Sequence, residues 1–282
     1  MQDKSQTHLN KKGKHLLYKK IIPSEELSNK AYHELPAISS SAVKTVATSS
    51  LYHWKNAKFS STPAMILGSA FHAMVLEPEK NLVTNSGLPR RGSKAWKDQE
   101  NFLGDDEILL PEGEYEQCQK MVDGCMQNKM ARNLLTNKDM LAEYSFIAEC
   151  PKTGLELKCR PDGLLKEAGI VIDLKSCLDA SYRGFDKAVR NFRYDVQNCF
   201  YRYVLKLCGI ETTNFIFIAT EKNSYATACY ELSDKYNKYA EAEMFKTLRK
   251  IKVAQETNVY DTGWPDLDTI NLPVYLDEDH GL

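Results

Sequence analysis

The stretch Gly169-Ile170-Val171-Ile172-Asp173-Leu174-Lys175 constrains this chain more than any other. An apolar run rich in β-branched residues suits a central strand covered on both faces. Side chains alternate along a strand, so Asp173 and Lys175, two apart, share one face. Burying both charges is costly unless they pair with each other or hold a metal ion. A salt bridge within a sheet is one solution; a chemical site is the other.

The residues just upstream bear on that choice. Glu143 to Glu149 and Leu155 to Arg160 read as a hairpin around the turn Pro151-Lys152-Thr153-Gly154. Asp162, in Cys159-Arg160-Pro161-Asp162-Gly163, stands at the end of the returning strand. If that strand neighbours Gly169–Lys175, two carboxylates and an ammonium converge. Phosphodiester hydrolysis needs such a group: hard oxygen ligands for Mg²⁺ or Mn²⁺, and a cation to orient water or neutralise developing charge.

Two further patterns lie on expected helices. Gly68-x-x-x-His72 falls on a helix that begins at Pro63, a residue suited to a first turn, and stops near Glu77-Pro78. An imidazole there could add a metal ligand or make an ordinary hydrogen bond. Gln197 and Tyr201, four apart, share a face of the helix expected over Tyr194 to Leu207. They could hold phosphate or position the lysine, or belong to a half-buried amphipathic face.

The rest of the chain alternates helix and strand. A serine of Ser39-Ser40-Ser41 can cap an early helix, and one helix is expected from Pro111 to about Leu135. Further helices are expected over Ser181 to Asn191 and Asp234 to about Gln255. Strands are expected over Asn214 to Thr220 and Tyr225 to Leu232. This order predicts an α/β fold with a mixed central sheet flanked by helices. With no internal repeat or low-complexity linker, we expect one domain over 32–273. A lysine-rich flexible arm over 1–31 precedes it, and an acidic tail over 274–282 comes after it.

With 43% hydrophobic and 27% charged residues, the chain can build a core without disulfides. None of its eight cysteines forms a C-x-x-C pair, so zinc-ribbon spacing is excluded. Reduced thiols packed as small hydrophobes, and the absence of a signal peptide, point to a cytoplasmic protein. No apolar run approaches the roughly 20 residues that cross a bilayer. The net charge of -1 neither supports nor excludes a nucleic-acid partner.

The ordered series Gly68-x-x-x-His72, Pro161-Asp162, Asp173-x-Lys175 and Gln197-x-x-x-Tyr201 resembles the motifs of the RecB-like branch of PD-(D/E)xK nucleases. The surrounding words Tyr32-His33, Leu76-Glu77-Pro78 and Cys159-Arg160-Pro161-Asp162 resemble the exonuclease VIII (RecE) group in particular. The resemblance implies a restriction-endonuclease-like core. It makes His72, Asp162, Asp173 and the Leu174 carbonyl metal ligands, Lys175 the catalytic lysine, and Gln197 and Tyr201 its supports. Glu143 matches a family position of unsettled role.

Lambda-type exonucleases share Ile38-x-x-Ser41-x-Val43, which makes Ser41 a candidate phosphate contact. Arg90, Arg91, Lys94 and Arg160 are further candidate DNA contacts. The resemblance also implies Mg²⁺, with Mn²⁺ able to substitute, and no iron–sulfur cluster. It implies digestion of duplex ends 5′ to 3′ by a homo-oligomeric ring, feeding a single-strand annealing protein in the cytoplasm of a bacterium or phage-infected host. Two other functions stay open: a nuclease for single-stranded or branched DNA, and a DNA-binding protein with a decayed site.

Overall fold

The computed structural model describes residues 18–58 and 60–270. In chain order, strand β1 (Lys19–Ile22), helix α1 (Asn29–Glu34) and strand β2 (Ile38–Ser39) precede helices α2 (Ser40–Thr48), α3 (Leu51–Asn56) and α4 (Pro63–Leu76). A small parallel pair, β3 (Val83–Asn85) and β4 (Ile108–Leu110), brackets helix α5 (Lys94–Glu100). Helices α6 (Glu112–Gln127) and α7 (Lys129–Leu135) lead into β5 (Leu141–Ala142), β6 (Ser145–Glu149), β7 (Glu156–Cys159), β8 (Gly163–Leu165) and β9 (Ile170–Cys177). Then come α8 (Tyr182–Phe192), α9 (Tyr194–Leu207), the hairpin β10 (Asn214–Glu221) and β11 (Thr227–Tyr230), and α10 (Asp234–Thr257).

The larger sheet has the order β11-β10-β9-β8-β5, with β9 and β10 parallel and the other pairs antiparallel. Strand β9 is central, as its apolar run predicts. Val171 points into a core shared with α2, α8, α9 and α10. Ile172 and Leu174 point into a second core against α4, α6 and α7. Strand β10 alternates in step: Phe215 and Phe217 face the first core, Ile216 and Ile218 the second. The chain therefore has the mixed α/β architecture that its sequence predicts.

The structure corrects the expected route into the site. Strand β7 belongs to a different, four-stranded sheet, β1-β6-β7-β2, and is not a neighbour of β9. The three-residue β8 lies beside β9 instead, so Asp162 introduces β8 and does not close the hairpin. Three residues between two turns carry too little pattern to announce a strand. Likewise Glu143 does not begin a strand. It takes a positive φ of 54°, and the chain turns there from β5 of one sheet to β6 of the other.

Residues 18–31 depart from the expected flexible arm. Strand β1 pairs with β6, Ile22 is buried, and Lys19 and Lys20 sit on the sheet edge, where lysine discourages further pairing. Ser28 caps α1 by accepting the Ala31 amide, and Tyr32 is buried. The buried Lys158 ammonium donates to the carbonyls of Tyr32 (2.7 Å), His33 (3.2 Å) and Leu35 (2.7 Å). These carbonyls close α1, so a cation from β7 caps the helix. Residues 1–17 of the expected arm and the tail 274–282 lie outside the described residues.

The helix expected over 111–135 is two helices. Asn128 leaves helical geometry, accepts the Met130 and Ala131 amides to start α7, and donates to the Thr227 carbonyl at 2.9 Å. One turn earlier, Gly124 lets α6 touch the β10–β11 turn: a Cβ there would stand 2.1 Å from the Tyr225 carbonyl oxygen. Gly124→Ala is therefore expected to destabilise the protein by about 2–3 kcal/mol despite the better helix propensity of alanine. Thermal denaturation should show a Tm lower by several degrees; an unchanged Tm would mean that the turn yields freely.

Candidate active site

The chemistry-bearing residues collect where the chain enters β8 and leaves β9. The carboxylate of Asp162 accepts the Leu174 amide at 2.5 Å, which ties the start of β8 to β9 beyond their paired residues. The N–H and C=O of a strand residue face the same edge, so the Leu174 carbonyl opens toward Asp162 as well. His72 reaches the other Asp162 oxygen, with Nδ1 at 3.4 Å. The spacing Gly68-x-x-x-His72 has a physical basis here. Residues four apart share a helix face, and at Gly68 a Cβ would come within 3.2 Å of Ser176 Oγ on β9. Glycine lets α4 lie close enough for His72 to meet Asp162.

The left-handed turn at Glu143 delivers its carboxylate to the same point. Potential ligand atoms of His72, Glu143 and Asp162 lie within 4.8 Å of one another. Asp173 stands beside this trio rather than in it. It is 1% exposed, accepts Gln197 Nε2 at 2.6 Å through Oδ1, and has the Lys175 ammonium against Oδ2. Among the described residues, no hydrogen bond of good geometry reaches that Oδ2. Tyr201 packs its ring near Phe215, with centroids 6.2 Å apart. His72, Glu143, Asp162, Lys175 and Tyr201 line one cavity of about 590 Å³.

The electrostatics result from this crowding. Burial works against an ionised Asp162, but His72, Lys175 and the Leu174 amide outweigh it and hold the carboxyl below its usual range. Burial would discharge His72, yet Asp162 and Glu143 push the imidazole above its usual value. Burial and the Asp162 charge raise Glu143 to about 8. Burial raises Asp173 in spite of Lys175. Against its own burial, Lys175 is held above the usual lysine value by Asp173 and Asp162. Held as an ammonium by these carboxylates, Lys175 can donate hydrogen bonds and neutralise charge.

A site in which burial and an ionised neighbour both raise a carboxyl suits a divalent cation. The oxygens of Asp162 and Glu143 are hard donors, and His72 is a compatible third ligand.

The segment from residue 35 to residue 263 matches the family described as a PDDEXK-like domain of unknown function, DUF3799. The chain belongs to this family. No curated protein matches it. The solved structure of a candidate exonuclease from Eubacterium rectale is similar, with a TM-score of 0.62 at 15% identity over 89% of this chain and 97% of the other. A second, the SSO0001 protein, shares 14% identity over 70% of this chain and 88% of its own, with a TM-score of 0.31, too slight a likeness to bear on fold or function.

Other anticipated residues of this PDDEXK-like domain have partners of their own or lie outside the cavity. Arg160 lines the cavity, but its guanidinium donates to Ser145 Oγ (2.8 Å) and the Leu27 carbonyl (2.9 Å) and lies over the Tyr32 ring. Arg90, Arg91 and Lys94 do not line it. Arg91 forks onto Glu114 and lies over the ring of Trp96, itself 4% exposed. Arg91→Ala is expected to lower stability by about 1–2 kcal/mol, read as a lower urea midpoint with the m-value unchanged. Ser41 stands apart from the cavity, exposed on α2.

Sequence reasoning missed Lys44. From α2 its ammonium lies 3.4 Å from Gln197 Oε1, and burial together with Lys175 lowers it to about 8. The only signal in the sequence is its place three residues after Ser41, which marks a helix face but no destination. Among the described residues no helix is long and apolar enough to cross a membrane. All eight cysteines are free thiols.

Proposed function

We propose that this PDDEXK-like domain is a divalent-metal-dependent deoxyribonuclease acting on duplex ends. The observation that carries the reading is the convergence of His72, Glu143 and Asp162 beside the Lys175 ammonium in one open cavity. Glu143, Asp162 and His72 would hold the cation, with the Leu174 carbonyl facing the same point and Asp173 adjoining it. When bound, Mg²⁺, or Mn²⁺ in its place, supplies positive charge to the phosphoryl oxygens and acidifies a nearby water. Lys175 donates to the attacking water or to a non-bridging phosphate oxygen. Gln197 holds Asp173 from behind, and Tyr201 walls the cavity.

The finer assignment is a 5′-to-3′ exonuclease of RecE type that leaves 3′ overhangs. It would work in the cytoplasm as a homo-oligomeric ring and pass its product to a single-strand annealing protein. It draws on the motif series and on the description of the Eubacterium rectale protein as an exonuclease. A ring would let a chain of net charge -1 gather its basic residues around one channel.

The test uses linear duplex labelled separately at each 5′ end, a closed circle, and single-stranded and flapped substrates, with Mg²⁺ or EDTA. Magnesium-dependent release of 5′ nucleotides from linear duplex alone is the expected result. Cutting of the circle would make it an endonuclease, and preference for flaps a branched-DNA nuclease. Binding without cleavage in any metal would leave a DNA-binding protein.

A further inference from the structure

Gln197 lies between two charges of opposite sign, and neither belongs to its own helix. It is 6% exposed on α9. Its Nε2 donates to Asp173 Oδ1 at 2.6 Å, and its Oε1 accepts from the Lys44 ammonium at 3.4 Å. An ionised carboxylate only accepts and an ammonium only donates, so a single orientation of the amide satisfies both neighbours. Turned by half a rotation, the amide would set oxygen against carboxylate and N–H against ammonium. Among the described residues, Lys44 is the donor found for Oε1.

The packing of α2 holds Lys44 in place. Ser39 caps α2 by accepting the Ala42 amide, and Val43 and Val46 enter the first core together with Val196 and Phe200 of α9. The Lys44 ammonium also lies over the Tyr194 ring at 5.8 Å, and the Lys175 ammonium lies over the same ring at 4.8 Å. Tyr194 is stacked in turn on Phe217 of β10, with centroids 5.8 Å apart. Two lysines thus share one fixed ring, and an unbroken polar chain joins them: Lys44, Gln197, Asp173, Lys175.

The geometry points to Lys44 as a positioning residue that locks the Gln197 amide and, through it, the pairing of Asp173 with Lys175. The motif series makes Gln197 a support of the lysine; what orients Gln197 itself comes from α2, outside that series. Without the Lys44 ammonium, Oε1 is a buried acceptor with no donor, which costs more than the bond itself contributed. A released amide can turn that oxygen toward the Lys175 ammonium, which stands on the other oxygen of the same carboxylate. Asp173 then loses one donor and shares the other. The effect on cleavage rests on the nuclease reading; the orientation of the amide does not.

The experiment uses the full chain with isotope-labelled glutamine, whose side-chain amide resonances are read by NMR. The Gln197 pair is assigned by its loss in Gln197→Ala. In the wild type, the Nε2 proton bonded to Asp173 should resonate well downfield of its twin. Lys44→Met keeps the aliphatic stem and removes the donor. It should bring the two resonances together and lower kcat by about 10- to 100-fold with KM unchanged. Lys44→Arg, which can donate to Oε1, should restore the separation and most of kcat.

An equivalent, unshifted pair in the wild type would overturn the proposal without any variant. A Gln197 pair unmoved in Lys44→Met, or a rise in KM alone, would also overturn it, and cleavage by the wild type would then leave the nuclease reading standing. Resonances that follow Lys44 in a protein that never cleaves DNA would keep the positioning role and remove the nuclease reading.

Discussion

Replacing Asp162 with asparagine is expected to slow DNA cleavage by at least about 10³-fold, equivalent to about 4 kcal/mol of transition-state stabilisation. Asp162 is the residue on which the geometry converges. One oxygen accepts the Leu174 amide, the other faces His72, and its charge raises Glu143 and Lys175 together. Asparagine can still accept the Leu174 amide but offers one oxygen and no charge, so the fold should survive while the cation site does not. Calorimetric titration with Mg²⁺ should show binding lost in parallel with activity. The stability effect has a definite sign. A carboxyl held below its usual range stabilises the fold above that range and loses the contribution as pH falls through the folded-state pKa. The Tm deficit of Asp162→Asn should therefore shrink in acid. Cleavage within tenfold of wild type would remove Asp162 from the reaction centre.

The second large effect concerns Glu143. Its carboxyl is raised from 4.5 to about 8 in the metal-free fold. A group raised on folding contributes stability that is fully present below the unfolded pKa and is lost as pH rises through the folded one. Metal-free protein should thus lose stability between about pH 4.5 and pH 8. Glu143→Gln, which cannot ionise, should lack that loss and melt about 5 °C or more above wild type at pH 8.5 in EDTA. With Mg²⁺ the order should reverse, because the cation stabilises an ionised Glu143 and the glutamine site holds it poorly. Wild-type Mg²⁺ affinity should rise up to about tenfold per pH unit below pH 8 and level off above it, since a proton must leave Glu143 on binding. Identical pH–Tm curves for the two proteins in EDTA would show that Glu143 titrates normally and lies outside the cation site.

Local periodicity by itself determines much of this protein. The apolar run around Asp173 and Lys175 is a central strand because a strand covered on both faces needs side chains of that kind. The same alternation places the two charges on one face. Helical spacing does the same for Gly68 with His72 and for Gln197 with Tyr201, since each pair lies within a single helix.

Contacts between distant segments were decided by the tertiary structure alone. Strand β1 exists because β6 offers it an edge, and Lys19-Lys20-Ile21-Ile22 carries too few apolar residues to announce a strand. Strand β8 holds its place through pairing with β5 and β9. Arg91 and Arg160 look like free cations in the sequence, and only the fold brings Glu114 and the Leu27 carbonyl to them. Glu143 joins His72 and Asp162 through a left-handed turn between two sheets, and Lys44 meets Gln197 across 153 residues of chain. Periodicity reports which side of its own element a residue faces; what stands opposite is set by packing between elements.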